Sequence, residues 1–292
     1  MKILVIGACG QIGKAVSAAA VARGHQVFGA DIKSAAAQFF LDLADIGSVS
    51  KVVETVKPEL TVLCSAMTYV DGCEKGPGLA WKINAEAPGS LAAICLDTAS
   101  RLIYLSTEYV FDGKNGPYSE TDPPNPISVY GRTKLEGERR VLGVLKDALS
   151  IRTTVVYSFD RGGNNFIMQL INNCSRGLEM KVPRDQYSNP TYAPELADFM
   201  LELALSGKSG IYNVAGADRL SRYEFALKAC EAFGFKKDFL KPVSTADLNQ
   251  PAGRPLKAGL KMDKLLAVLG KVPAGADKNL KIMAAGSGGI LK

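Results

Sequence analysis

Residues 2–6 form a short, mostly apolar run closed by Gly7, the pattern of a strand buried on both faces of a parallel sheet. The spacing then changes. Ile12, Ala15, Val16, Ala19 and Ala20 recur at helical intervals over 11–23, and Gly24 provides the stop. A second strand is predicted at 26–30, and further strand-like runs fall at 60–65, 101–106 and 149–153. Helical stretches lie between them, near 46–56, 78–99 and 128–146. This alternation predicts βαβ units in an α/β, Rossmann-like doubly wound parallel sheet with right-handed crossovers.

Beyond about residue 158 the texture loosens. Gly162–Gly163 and the stretch 183–194 read as loops, helices return near 193–206 and 221–233, and a strand is expected over 210–215. The division this suggests is a dinucleotide-binding domain at 1–158, to which 193–215 returns, and a smaller substrate-binding lobe built mainly from 159–292. The glycine-rich tail from Gly286 reads as a loose terminus.

With 292 residues, 47% of them hydrophobic and 22% charged, the chain can bury a sizeable core, which excludes disorder. No stretch approaches the roughly 20 apolar residues of a spanning helix, and the first apolar run is too short for a signal peptide. The expectation is a cytoplasmic protein with no membrane partner. The six cysteines are scattered without C-x-x-C spacing and the one histidine, His25, sits in a turn. A metal site is therefore not expected, and neither is histidine-based catalysis. The net charge of +6 suits anionic ligands such as nucleotides and sugar diphosphates. No basic run is interleaved with aromatics, so nucleic acid is not expected as a partner.

Gly7-Ala8-Cys9-Gly10-Gln11-Ile12-Gly13 stands between the first strand and the first helix. One glycine permits the tight turn, one lets backbone N–H groups approach a pyrophosphate, and one allows close packing of helix on strand. The diphosphate would sit at the positive end of the helix. Asp31 closes the second strand, where a carboxylate can accept from the adenosine ribose hydroxyls and repel a 2′-phosphate. That favours NAD(H); Lys33 nearby keeps NADP(H) open.

Tyr130 and Lys134 are four residues apart in a predicted helix and so share a face. A phenol titrates near 10, and a neighbouring ammonium is expected to lower that value and make it a usable acid or base. Thr107 ends the 101–106 strand region, at the carboxyl edge of the sheet where doubly wound folds bind ligands, and its hydroxyl can orient a substrate oxygen against Tyr130.

The stretch Ser106-Thr107-Glu108-Tyr109-Val110-Phe111-Asp112-Gly113 resembles the Ser-Thr-Asp-Tyr-Val-Phe-Asp-Gly motif of dTDP-4-dehydrorhamnose reductases, in the extended short-chain dehydrogenase/reductase superfamily. The likeness continues through Pro117-Tyr118, Pro124-Asn125-Pro126 and Tyr130 to Glu138. It is also carried by residues 68–74, 84–89, 152–153 and 185–191, and by Arg254-Pro255. The resemblance implies Tyr130 as proton donor, Lys134 on the nicotinamide ribose and Thr107 on the keto oxygen, with hydride passing from NAD(P)H to the sugar. It implies Asp42-Leu43 near the adenine, Ser65 and Ala66 beside the cofactor, and Thr68, Glu108, Val155 and Arg254 toward the substrate.

Three departures stand out. Glu108 replaces the family's Asp. Val155 stands where rhamnose-forming members carry a Trp. Cys64-Ser65-Ala66-Met67 replaces Asn-Ala-Ala-Ala. Among the basic residues Arg161, Arg184, Arg219, Arg222 and Arg254, all candidates for a substrate diphosphate, Arg254 is the preferred one.

The function expected is therefore reduction of a keto group on a nucleotide-diphosphate sugar. Two other readings stay open: an epimerase or 4,6-dehydratase that recycles its cofactor, and a non-catalytic NADP-binding subunit resembling the regulatory subunit of methionine adenosyltransferase. A dehydratase usually places Asp-Glu after the threonine, whereas here one acid precedes Tyr109. A homodimer is compatible with all three.

Overall fold

A computed structural model of the chain describes residues 1–33, 36–160 and 162–286. Its elements alternate as the periodicity predicts. The first half runs β1 (Lys2–Ile6), α1 (Gln11–Ala22), β2 (Gln26–Asp31), β3 (Phe39–Phe40), α2 (Ile46–Val56), β4 (Leu60–Leu63), α3 (Val70–Lys75), α4 (Pro77–Trp81), α5 (Ala87–Asp97), β5 (Arg101–Thr107), α6 (Val129–Val144) and β6 (Leu149–Thr153). The second half runs β7 (Val156–Tyr157), α7 (Phe166–Ser175), β8 (Met180–Pro183), β9 (Tyr187–Ser188), β10 (Thr191–Tyr192), α8 (Ala193–Leu205), β11 (Gly210–Asn213), β12 (Leu220–Ser221), α9 (Arg222–Phe233), β13 (Leu240–Val243), α10 (Asp263–Leu269) and α11 (Ala276–Gly286).

Seven parallel strands form the main sheet in the order β11-β6-β5-β4-β1-β2-β3. The order reverses between β1 and β4, the crevice where open α/β sheets bind ligands. Alternate side chains feed two cores. Ile3, Val5, Ile103, Leu105 and Ile151 face α1 and α8, while Leu4, Ile6, Leu102 and Tyr104 face α2, α5 and α6. The predicted return of 193–215 to the main sheet is observed in α8 and β11. Residues 262–272, which sequence reading grouped with the smaller lobe, also pack on the α8 side, with Leu265 fully buried.

The smaller lobe holds three two-stranded pairs, β7–β10, β8–β13 and β9–β12, around Tyr157, Phe225 and the apolar faces of α7, α9 and α11. The strands β9 and β10 lie inside the stretch expected to be loop. Two residues are too few to show an alternating pattern. The helix α7 has a sequence signal of its own: Ile167, Leu170, Ile171 and Cys174 recur at helical spacing and are all buried.

The predicted helix over 78–99 is interrupted. A π turn at Lys82–Glu86 separates α4 from α5, and Pro88 takes the first turn of α5, where its missing N–H costs nothing. The turn buries Asn84, whose amide donates to the Met67 carbonyl at 3.0 Å and whose Oδ1 accepts from the Met67 N–H at 2.8 Å. Against it packs α6, capped by the Ser128 hydroxyl accepting from the Gly131 N–H at 3.1 Å. The approach is close enough to require glycine at 137, because a Cβ there would stand 2.2 Å from the Asn84 carbonyl oxygen and 2.5 Å from the Tyr104 hydroxyl. Gly137→Ala is expected to destabilise the fold by about 1–3 kcal/mol through overpacking. Urea unfolding of the two proteins measures it.

Candidate active site

The carboxyl ends of β1, β2, β4, β5 and β6 open into one cleft of about 770 Å³. Its floor is the turn from β1 into α1. Gly7 has φ of 89°, and a Cβ on Gly13 would lie 2.1 Å from the Gly7 carbonyl oxygen, so helix and turn touch backbone to backbone. The helix α1 opens on Gly10, with no side-chain cap and no acidic residue in its first turn. Its leading N–H groups are thus offered to an anion, as a dinucleotide diphosphate requires. Gly7, Gly10, Gln11, Ile12, Gly13, Asp31, Asp42, Leu43, Ser65 and Ala66 all line this cleft, together with Cys9, Lys33 and Leu41. These residues fit a bound nicotinamide dinucleotide.

Asp31 is buried and holds the turn as well as facing the cleft. One of its oxygens accepts from the Cys9 N–H at 3.0 Å and the other from the Lys33 N–H at 3.1 Å. Asp42 is similarly used, accepting from the Ala44 N–H at 2.9 Å.

Thr107, Tyr130 and Lys134 meet at the far end of the cleft. The Thr107 hydroxyl favours ionisation of the Tyr130 phenol and caps the short 3-10 turn Glu108–Val110 by accepting from the Tyr109 N–H at 3.2 Å. Tyr109, which sequence reading did not single out, stands edge-on to Tyr130 with ring centroids 5.5 Å apart. Its signal was its place two residues after Thr107.

The electrostatics of this group correct one expectation. Burial pushes the Tyr130 phenol well above its ordinary 10, and the Thr107 hydroxyl only partly offsets it. Burial drives the Lys134 ammonium itself down to about 7, with Glu138 acting in the opposite sense. Its Nζ lies over the Tyr104 ring, 4.1 Å from the centroid. In so dry a site desolvation outweighs the attraction between neighbours, so both groups shift toward their uncharged forms.

Thr68 and Val155 line the same end of the cleft. Val155 has φ of 43°, a left-handed conformation that is strained for a β-branched residue. Glu108 and Arg254 are not on the wall. Glu108 is 3% exposed; its carboxylate accepts from the Thr154 hydroxyl and, at 2.9 Å, from the Gly259 N–H. Arg254 is paired with Asp71 at 2.9 Å and donates to the Ala252 carbonyl at 3.0 Å. Of the basic residues considered that lie among the described residues, Arg222 is the one that lines the cleft. It does so from the first turn of α9, whose Ser221–Glu224 capping box fixes the entry, and it lies over the Phe166 ring at 5.1 Å. Arg219 is turned onto the Ala258 carbonyl, Arg184 is exposed, and Arg161 lies outside the described residues.

Among the described residues no group of three or more His, Cys, Asp or Glu could hold a metal, and no helix is long and apolar enough to cross a membrane.

Residues 1–286 match the family model described as the RmlD substrate binding domain. A probable low-salt glycan biosynthesis reductase from Haloferax volcanii, Agl14, is 35% identical over 92% of this chain and 93% of its own length. A dTDP-4-dehydrorhamnose reductase of Clostridium acetobutylicum has a solved structure that superposes with a TM-score of 0.88 at 32% identity, covering 98% of this chain and 99% of that one. The Bacillus anthracis dTDP-4-dehydrorhamnose reductase, solved in complex with NADP, superposes with a TM-score of 0.90 at 29% identity, with the same coverage.

Burial raises the Glu108 carboxyl from 4.5 to about 7 against the pull of Thr154, Gly259 and the arginines Arg222 and Arg219. The folded chain thus binds this proton more tightly than the unfolded chain. The group's contribution to stability is full below about pH 4.5 and declines as pH rises to about 7. Glu108→Gln is expected to gain on the wild type by about 2 kcal/mol between pH 5 and pH 8, read from urea midpoints across that range.

Proposed function

The chain belongs to the RmlD substrate binding domain family, and from this premise we propose that it is an NAD(P)H-dependent reductase of a nucleotide-linked 4-keto-6-deoxysugar. The observation that carries this reading is that Thr107, Tyr130 and Lys134 line the same cleft as the glycine turn.

The two hydroxyls form a seat for a keto oxygen: Thr107 donates to it and orients it, and Tyr130 donates the proton that the oxygen needs once the carbonyl is reduced. When bound, the reduced nicotinamide supplies the hydride. Lys134 holds the nicotinamide ribose, and the glycine turn holds the diphosphate. A phenol kept protonated by burial suits a donor.

Toward the sugar nucleotide, Arg222 is the group we assign to the diphosphate, in place of Arg254. Its guanidinium lines the cleft, whereas that of Arg254 is occupied by Asp71. Val155 and Thr68 form the wall at the hexose, and Glu108 acts from behind it by holding Thr154 and Gly259. We read 1–158 with 193–215 as the cofactor-binding part, and the remainder, except 262–272, as the substrate lobe. For the cofactor, the Asp31 carboxylate disfavours a 2′-phosphate and Lys33 softens that effect, which supports use of both cofactors with NADH preferred.

Incubation with dTDP-4-dehydrorhamnose should consume NADH or NADPH in equal amount to product; no consumption with any nucleotide-linked 4-keto-6-deoxysugar would refute the reading. Tyr130→Phe should lower turnover by about 10²–10⁴-fold while NADH still binds, as followed by nicotinamide fluorescence. Asp31→Ala should raise the ratio of kcat/KM for NADPH over NADH by about tenfold, measured by initial rates.

A further inference from the structure

One helical turn beyond Lys134 lies a charged pair that the reaction above does not use. Glu138, four residues on along α6, is 2% exposed. Arg152 of β6 closes a fork on it, Nε to Oε2 at 3.1 Å and Nη2 to Oε1 at 2.5 Å, and the Ser150 hydroxyl donates to Oε2 at 3.2 Å. Arg152 is equally buried, lies over the Phe111 ring at 5.1 Å and reaches the Glu120 carbonyl at 3.4 Å.

The titratable and charged groups around Lys134 come from six elements, one of them the 3-10 turn at Glu108–Val110, which presents Glu108 and Tyr109 beside Tyr130. Its own helix presents Tyr130 and Glu138, β5 presents Tyr104, and β6 presents Arg152 behind Glu138. From α3 comes Cys73, beside Tyr130, together with Glu74, which is engaged by the Val129 N–H at 2.7 Å. Lys82 and Glu86 of the π turn are exposed. Glu138, one turn along the same helix, is the buried carboxylate that favours the Lys134 ammonium, and Arg152 holds it in an ion pair.

We propose that the Glu138–Arg152 pair is a positioning element for Lys134: Glu138 supplies the charge that retains the ammonium, and Arg152 limits how much of that charge Lys134 feels. A buried ion pair contributes little to stability over an apolar pair of the same shape, so stability alone does not account for it. Placing it at i+4 from the one lysine in the cleft that must stay charged does. Burial drives Lys134 down to about 7, and Glu138 is the charge that opposes that shift. The proposal rests on the reading that Lys134 donates to the nicotinamide ribose.

NADH affinity, followed by nicotinamide fluorescence from pH 6 to 9.5, tests it. In the wild type, binding should weaken as Lys134 deprotonates. Glu138→Gln should move that midpoint down by about one pH unit, because Arg152 then faces Lys134 uncompensated, and Arg152→Met should move it up by a similar amount. The neutral pair E138Q/R152M should return it toward the wild type. ADP affinity should not follow these shifts. Should R152M fail to fold, a double variant whose midpoint lies above that of E138Q supports the proposal, and one whose midpoint coincides with it overturns it. Shifts in one common direction, or unmoved midpoints with NADH still bound, overturn this proposal alone. Absence of NADH binding at every pH overturns it together with the functional reading.

Discussion

At the carboxyl edge of the main sheet Lys134 and Glu108 are buried and Tyr130 is partly so, and desolvation moves each toward its uncharged form. The rest of the site follows from that one condition. A protonated phenol can give a proton to a reduced carbonyl oxygen. A lysine near neutrality keeps its ammonium only while a negative charge stays close. A carboxyl that costs more to ionise here than in water is held by directed donors, Thr154 and the Gly259 N–H, in the absence of any ion-pair partner among the described residues.

The dryness is itself a product of packing. The helix α6 is brought down on the π turn because Gly137 carries no side chain, and this seats Lys134 over the Tyr104 ring and Tyr130 against Tyr109. Gly13 does the same at the other end of the cleft, letting α1 rest on the β1 turn so that its N–H groups face the ligand. Two glycines thus set the distance between the cofactor floor and the catalytic wall, and the parallel strands between them hold both ends in register.

Much of this was readable from residue order because it depends on local spacing. Helical periodicity marks α1, α2 and α8, and short apolar runs mark β1 and β5; the glycine turn is one contiguous string; and Tyr130 and Lys134 share a face by helical geometry alone. What escaped depends on distant segments meeting. Arg254 and Arg222 look equivalent as letters, but Asp71, far away along the chain, occupies the first and leaves the second on the cleft. The expected lowering of Tyr130 by Lys134 follows from proximity, while its upward shift follows first from burial, to which the charges of Tyr109, Cys73 and Glu108 add, and no spacing reveals that. Strands of two residues, such as β9 and β10, are specified by their partners and leave no pattern of their own.

The central claim is that the Thr107–Tyr130 pair delivers a proton to an oxygen whose carbon has just received hydride from the cofactor on the glycine turn. Isotope transfer tests it most directly. With the reduced cofactor deuterated on the transferred face of the nicotinamide C4, the account predicts one deuterium at C4 of the product sugar and stoichiometric oxidised cofactor. A product formed without deuterium, or sugar turnover with the cofactor left reduced, would contradict it.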